Sequence, residues 1–469
     1  MTQNNKTMTE NTMTAAKTVV PEHKMATEPV GKLLFTMSLP LMFSMIMEAL
    51  YNVVDSLFVA RLSEKALTAL TLAFPVQLLT VSVTVGTGVG INALLSRQLG
   101  EKNRQGVDGT AINGVFLAVL TYAAFLLFGL FLVEPYFAWQ TQDAEIRRAG
   151  VEYLSICMVF SFGAVGQILF QRLLQSTGRT GLSMVSQLAG AAFNIVFDPI
   201  LIFGLGGFPK MGVTGAAIAT VSGQVIALAI AVVLNITKNK DVRFRFRGFR
   251  PDAKVIGAIY RVGAPAIANQ SLNSLMAFGV NLILMSLSAT AVAAFGVYIR
   301  IQNFVLMPAF GVNNGVIAIG AFNYGARNKR RIDDTIKHGI ILAGSILILG
   351  TILIQVFTVP ILKLFDASDM LMDLGSQALR VISLSYVFVA LTLIMQGVYQ
   401  ALGNGLYSLV ITLMRVVVVL LPALYLFARF FAPRQVWWAF VLAEALSAAV
   451  GAFLFTRIYR EKVSNRYAV

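Results

Sequence analysis

Two polar stripes interrupt a chain that is otherwise mostly apolar. In the first, Ser44, Glu48, Asn52 and Asp55 recur at i, i+4, i+8 and i+11; in the second, Gln187, Asn194 and Asp198 recur at i, i+7 and i+11. Both spacings place the polar groups on one face of an α-helix. Asp198 precedes Pro199 in FNIVFDPILIFGLGG (193–207). Proline withdraws the backbone donor that would reach the carbonyl of Ile195, leaving an open acceptor near the acid. Carboxylate, amide and carbonyl oxygens together can take up and release a proton, and they can also hold Na⁺. A carboxylate at the centre of a membrane span costs about 2.5–3.5 kcal/mol on insertion scales, so two kept there should face each other or a wet cavity. Asp55, Asp198, Asn194, Glu48 and Asn52 are the expected ion-coupling residues, with H⁺ and Na⁺ both open as the coupling ion.

The elements that must position these groups are membrane spans. Of the 469 residues, 57% are hydrophobic and 13% charged, and the mean hydropathy is +0.75. Soluble domains carry about 25% charged residues, which excludes the water-soluble reading. A helix crossing the hydrocarbon needs about 20 largely apolar residues. Twelve such segments are expected, at 33–60, 67–95, 110–137, 149–174, 182–206, 213–236, 254–288, 291–322, 335–361, 374–401, 406–430 and 435–457. Runs such as AVLTYAAFLLFGLFLV (118–133) lack the alternation of barrel strands. The expected fold is an all-α polytopic membrane protein of the cell (inner or plasma) membrane.

The net charge of +15 reflects topology. With both termini in the cytoplasm, 26 of the 37 Lys and Arg residues fall on the cytoplasmic side, 8 on the opposite side, and 3 (Arg300, Arg380, Arg415) within spans. That asymmetry is the positive-inside rule. These basic loops can also touch anionic membrane lipids, and no nucleic-acid partner is expected. The polar residues 1–30 have no apolar stretch and read as a disordered cytoplasmic tail rather than a signal peptide. Cys157 is the only cysteine and His23 and His338 the only histidines, so neither a disulfide within the chain nor a Cys/His metal cluster is available. No cofactor is expected, and no metal site beyond a sodium ion that Asp55, Asn194 and Asp198 could share.

The chain also repeats itself. A shift of 225 residues aligns the halves without a gap over about 140 positions: Pro40 on Pro265, Ser63 on Ser288, Gln77 on Gln302, Gly100 on Gly325, Asn103 on Asn328. Gly86 and Gly90 fall on Gly311 and Gly315, a spacing that permits close helix packing. QRLLQSTGRTGLS (171–183) falls on QGVYQALGNGLYS (396–408). Each half holds six spans, giving two pseudo-symmetric six-helix bundles: an N-lobe (31–236) and a C-lobe (254–458). A basic cytoplasmic linker (237–253) joins them, and a short tail (459–469) follows. Two similar lobes around a central axis suit alternating access.

The acids break this symmetry. Glu48 maps to Asn273, Asp55 to Val280 and Asp198 to about Ala423, so the carboxylates belong to the N-lobe alone. The remaining intramembrane amides are expected to wall the substrate cavity: Gln167, Gln171, Gln175, Asn273, Gln302 and Gln396, with Asn303, Asn313, Asn314 and Gln400. Arg415 is an embedded cation within reach of Glu444 or of the membrane surface.

Two lobes of six spans with acids in the first resemble the multidrug and toxic compound extrusion (MATE) transporters. YNVVDSLFVARLSEKALTALTLAFP (51–75) and NIVFDPILIFG (194–204) carry the resemblance most sharply, and it covers nearly everything after residue 30. It implies a V-shaped pair of helical bundles, with the cation or proton site at Asp55, Asn194 and Asp198. It further implies export of bulky, often cationic lipophilic small molecules by antiport with H⁺ or Na⁺, by a protein expected to act as a monomer. Span seven lacks the acid typical of the NorM branch, so the chain is more similar to the DinF branch and its MepA-like exporters. A flippase for lipid-linked oligosaccharide precursors, from the same wider superfamily, is the alternative; it would want a basic cavity. No clustered catalytic set suggests an enzyme, and SRQLGEKNRQ (96–105) lacks the loop signature of major-facilitator transporters.

Overall fold

The computed structural model describes residues 23–244, 246–365 and 367–464, and these contain no β-strand. A one-turn helix α1 (Lys24–Thr27) precedes α2 (Val30–Ala60), α3 (Glu64–Gly100), α4 (Arg104–Phe131), the short α5 (Val133–Gln140), α6 (Ala144–Val159), α7 (Phe162–Ser176), α8 (Thr180–Phe203) and α9 (Val213–Lys238). The second half comprises α10 (Ala253–Met285), α11 (Ala289–Gly325), α12 (Lys329–Leu364), α13 (Asp369–Ser383) and α14 (Tyr386–Ala401). It continues with α15 (Gly405–Leu413), a π-helical segment Met414–Leu420, α16 (Leu421–Phe430) and α17 (Trp438–Tyr459).

Nine helical stretches among the described residues are long and apolar enough to cross a membrane, or eleven if each of two bent pairs is one span. The twelfth expected span is α10, 33 residues long, whose apolar character is diluted by Asn269, Gln270, Asn273 and Asn281. The bent pairs are α6 with α7, at 43°, and α13 with α14, at 47°. The expected spans 149–174 and 374–401 are therefore each broken near the middle. Under the 225-residue shift the two breaks fall within one residue of each other, and neither contains a proline.

Residues shared by the halves do the same local work in each. Ser63 Oγ caps α3 by accepting from the Ala66 N–H at 3.0 Å, and Ser288 Oγ caps α11 from the Ala291 N–H at 3.0 Å. Asn103 and Asn328 cap α4 and α12 by accepting from Gly106 and Arg331. The turns before them hold Lys102 (φ 55°) and Arg327 (φ 56°) in the left-handed region. That conformation costs a non-glycine residue energy and recurs at the same repeat position.

Within each half the helices form a bundle, α2 against α8 and α7 against α9 in the first, α11 against α12 and α14 in the second. The lobes join where α2 crosses α11 and α3 crosses α10, one contact viewed twice under the repeat. Glycines set the approach. A Cβ at Gly311 would come within 2.7 Å of the Met42 backbone nitrogen, and one at Gly315 within 2.8 Å of Ser38 Oγ. At Gly90 it would overlap the Ile259 carbonyl, at Gly100 the Phe322 carbonyl and at Gly325 the Arg97 carbonyl. The joint runs from the middle of α3 to its basic end, so the shared glycines pack lobe against lobe.

Residues 23–29 lie across the same end. Arg331 Nη2 donates to the carbonyls of Met25 at 2.9 Å and Glu28 at 2.8 Å. His23 stacks on Phe322 at 5.2 Å, and its Nε2 lies 3.8 Å from Asp241 Oδ2. The rest of the expected tail, 1–22, lies outside the described residues, as do Arg245 of the linker and 465–469. The linker runs along α4: the Arg243 N–H donates to Asp108 Oδ1 at 2.9 Å, and the Asp252 N–H to Asn113 Oδ1 at 3.0 Å.

Candidate functional site

The stripes on α2 and α8 come together. The Asp55 and Asp198 carboxyls interact side chain to side chain, and Tyr51 lies within electrostatic reach of Glu48, Asp55 and Asp198. Asp198 is fully buried and Asn194 is 3% exposed. Asn194 Nδ2 donates to Asp198 Oδ1 at 3.4 Å and to Thr220 Oγ1 of α9 at 3.3 Å. That leaves three buried oxygens without a hydrogen-bond donor: Asp55 Oδ1, Asn194 Oδ1 and Asp198 Oδ2. Two carboxylates in contact repel unless a proton or a cation sits with them, and an unsatisfied buried acceptor is costly. Asn52 is exposed; its Nδ2 donates to the Glu48 carbonyl at 2.8 Å, and its side chain meets that of Tyr51.

A cavity of about 410 Å³ opens between the lobes. Glu48, Tyr51 and Asn194 reach it from the N-lobe, but Asp55 and Asp198 do not line it. The carboxylate pair is thus set back from the cavity, behind Tyr51 and Asn194. Gln167, Gln171, Gln175, Asn273 and Gln396 all line the cavity, with Asn313, Asn314 and Gln400. Gln302 and Asn303 do not; they lie on α11 one turn before Leu306 and Met307, where the lining begins on that helix. The glutamines of α7 are also tied to α8. Gln167 and Gln171 donate to Gln187 Oε1 at 2.7 and 2.9 Å, and Gln175 donates to Ser183 Oγ at 3.0 Å.

Two guanidinium groups reach the cavity. Arg415 lies in the π-helical segment, where its Nη1 pairs with Glu444 Oε1 at 3.2 Å and its Nη2 donates to Asn273 Oδ1 at 3.0 Å. Of the two readings expected from sequence, pairing with Glu444 or reaching the membrane surface, this is the first; the π-helix around it was not expected. Arg172 is the cavity residue that sequence reasoning missed, since it was counted with the loop between spans four and five. It is buried on α7, with Nη1 donating to Gln175 Oε1 at 3.0 Å and to Asn314 Oδ1 of the other lobe at 2.8 Å. The repeat held a signal. Arg172 aligns with Gly397, an asymmetry of the same kind as that of the acids.

The family model described as MatE matches residues 40–200 and again 265–426, two matches that start 225 residues apart. The multidrug export protein MepA of Staphylococcus aureus is 26% identical over 93% of this chain and 95% of its own. The probable multidrug resistance protein NorM of Thermotoga maritima is 27% identical over 86% of each chain, and an FAD transporter of Shewanella oneidensis is 27% identical over 85% of this chain and 88% of its own. A solved outward-facing multidrug resistance MATE transporter superimposes with a TM-score of 0.88, at 26% identity over 94% of this chain and 98% of that one.

Proposed function

The chain belongs to the MatE family, a family of membrane transporters, and from that premise we propose that it exports bulky, often cationic lipophilic small molecules by antiport with H⁺ or Na⁺. In this reading Asp55, Asn194 and Asp198 hold the coupling ion, and the cavity between the lobes holds the exported compound. The observation that carries it is the meeting of two carboxyls from separate helices, with three buried oxygens that lack a donor. A proton on the pair, or a sodium ion shared by those oxygens, relieves the repulsion and meets their unsatisfied acceptor capacity. Tyr51, which lines the cavity with Glu48 and lies within electrostatic reach of Asp55 and Asp198, connects the ion to the cargo.

The protein works as a monomer in the plasma membrane with both termini in the cytoplasm. The basic loops then face the cytoplasm, and the glycine joint bars the cavity from that side. Transport requires the joint to part while the opposite ends of the lobes close, which is alternating access between two rigid bundles.

The test is efflux of ethidium from proteoliposomes under an imposed proton gradient and, separately, a sodium gradient. Asp198→Asn keeps the shape of the side chain and removes its charge. The expected result is loss of gradient-driven export, with a normal melting curve and retained ethidium binding in the cavity. Full gradient-driven export by this variant would remove Asp198 from the mechanism.

A further inference from the structure

We propose that Arg172 is the group that recognises an acidic substituent on the molecule in the cavity, so that compounds carrying a carboxylate or phosphate beside their cationic or apolar body are preferred ligands. This rests on reading the cavity as the cargo site. Arg172 is 7% exposed and lines the cavity. A guanidinium is charged at any accessible pH, and its five N–H donors match an oxyanion in planar, bidentate fashion. Here its hydrogen bonds go to the neutral oxygens of Gln175 and Asn314. Among the described residues no carboxylate lies within ion-pair distance of it. Arg415, by contrast, already holds Glu444.

Glu48 lines the same cavity and acts on Arg172 electrostatically, but from beyond ion-pair distance, so the buried cation is compensated only in part. An oxyanion in the cavity supplies what is missing and does so through charge-assisted hydrogen bonds, the stronger kind.

The fold provides a seat for this side chain in one lobe only. A Cβ on Gly88 of α3 would come within 2.8 Å of Arg172 Cγ, so the glycine makes room for the arginine stem. The equivalents in the C-lobe are Asn313 on α11 and Gly397 on α14, where the Asn313 side chain fills the space over the glycine. The same two positions thus hold a small residue and a large one in each lobe, exchanged between the lobes. The N-lobe version brings a charge into the cavity and the C-lobe version brings an amide.

The ligand chemistry is a compact oxyacid group, and it has two sources: the carboxylate of an exported compound or the phosphate of a lipid head group. The experiment uses the purified full chain in detergent, with binding followed by fluorescence anisotropy. Rhodamine B carries a carboxylate on a cationic xanthene, and its ethyl ester has the same body with the acid masked. For Arg172→Gln, rhodamine B affinity should fall by about ten-fold or more, the scale of hydrogen bonds to a charged group, with ester affinity unchanged. Arg172→Lys should restore part of the preference.

Competition by phosphatidylglycerol in the wild type but not in Arg172→Gln would support the same oxyanion site, with lipid phosphate as an occupant. Equal weakening of both dyes, with a lower melting temperature, would make Arg172 a structural tie to Asn314 and overturn the proposal. No effect on either dye would also overturn it. Failure of the wild type to bind either dye would instead remove the cavity as the cargo site, and the inference would fall with that reading.

Discussion

The joint between the lobes is the feature whose alteration has the most calculable effect. At Gly100 an added Cβ would overlap the Phe322 carbonyl of α11 and lie 2.8 Å from the Ala326 nitrogen. Both neighbours are backbone, so neither can turn aside as a side-chain tip could. Overpacking of this kind costs about 1–3 kcal/mol, and one such methyl in Gly100→Ala should therefore weaken the closed joint by a factor of about 5–150. If the two lobes are rigid bodies that part here, the molecule escapes the strain by opening, and its overall stability falls little.

Ser38 reports on this directly. It is fully buried at the joint, against Gly315, and Ser38→Cys is nearly isosteric. The only native cysteine, Cys157, is buried within the N-lobe and serves as an internal control. Maleimide labelling of Ser38→Cys should be slow in the parent and faster in the Gly100→Ala background by a factor within the range above, with Cys157 protected in both. A lower melting temperature with residue 38 still protected would mean that the strain is absorbed inside one lobe. The rigid-body reasoning would then be wrong.

Other outcomes follow from single contacts. Arg415→Gln leaves Glu444 buried without its cation and should lower stability by about 3–5 kcal/mol; adding Glu444→Gln should recover much of that in a thermal-shift assay. At His23, burial holds the imidazole below its ordinary value of 6.5, outweighing the opposite pull of Asp241. The undocked segment therefore binds the proton more readily than the docked one. Docking of residues 23–29 should be fully favourable above pH 6.5, weaken as the pH falls below it, and level off below the lowered value. Hydrogen exchange at the Ala26 amide, which donates to the His23 carbonyl, measures this, and His23→Gln should abolish the pH dependence.

The repeat made much of this architecture readable. Ser63 and Ser288, Asn103 and Asn328, and the paired glycines recur because each half needs the same caps, turns and close approaches. The meeting of α2 and α8 was legible from helical spacing and the cost of isolated acids in lipid. Other features depend on information that composition does not hold. The bends at Phe160–Ser161 and Leu384–Ser385 carry no proline to announce them. The π-helical turn at Arg415 reads as ordinary apolar helix. Hydropathy fixes a span edge only to about a turn, which is how Arg172 passed for a loop cation. Gln302 lies on an expected cavity helix, one turn before the first lining residue Leu306, and how far along α11 the cavity extends is set by lobe packing.

The joint has one further consequence, for what can act on it. Its closest approaches are backbone to backbone, made by the absence of side chains at Gly90, Gly100 and Gly325. Contacts of that kind are carried by short-range packing, which mobile ions do not screen, whereas attraction between exposed charges weakens with ionic strength. Salt outside the membrane and anionic lipid at its surface therefore have little purchase along this seam. If the lobes part as proposed, the force that separates them has to be generated inside the bundle, where a single proton or ion arriving at a buried pair of acids would be a large perturbation.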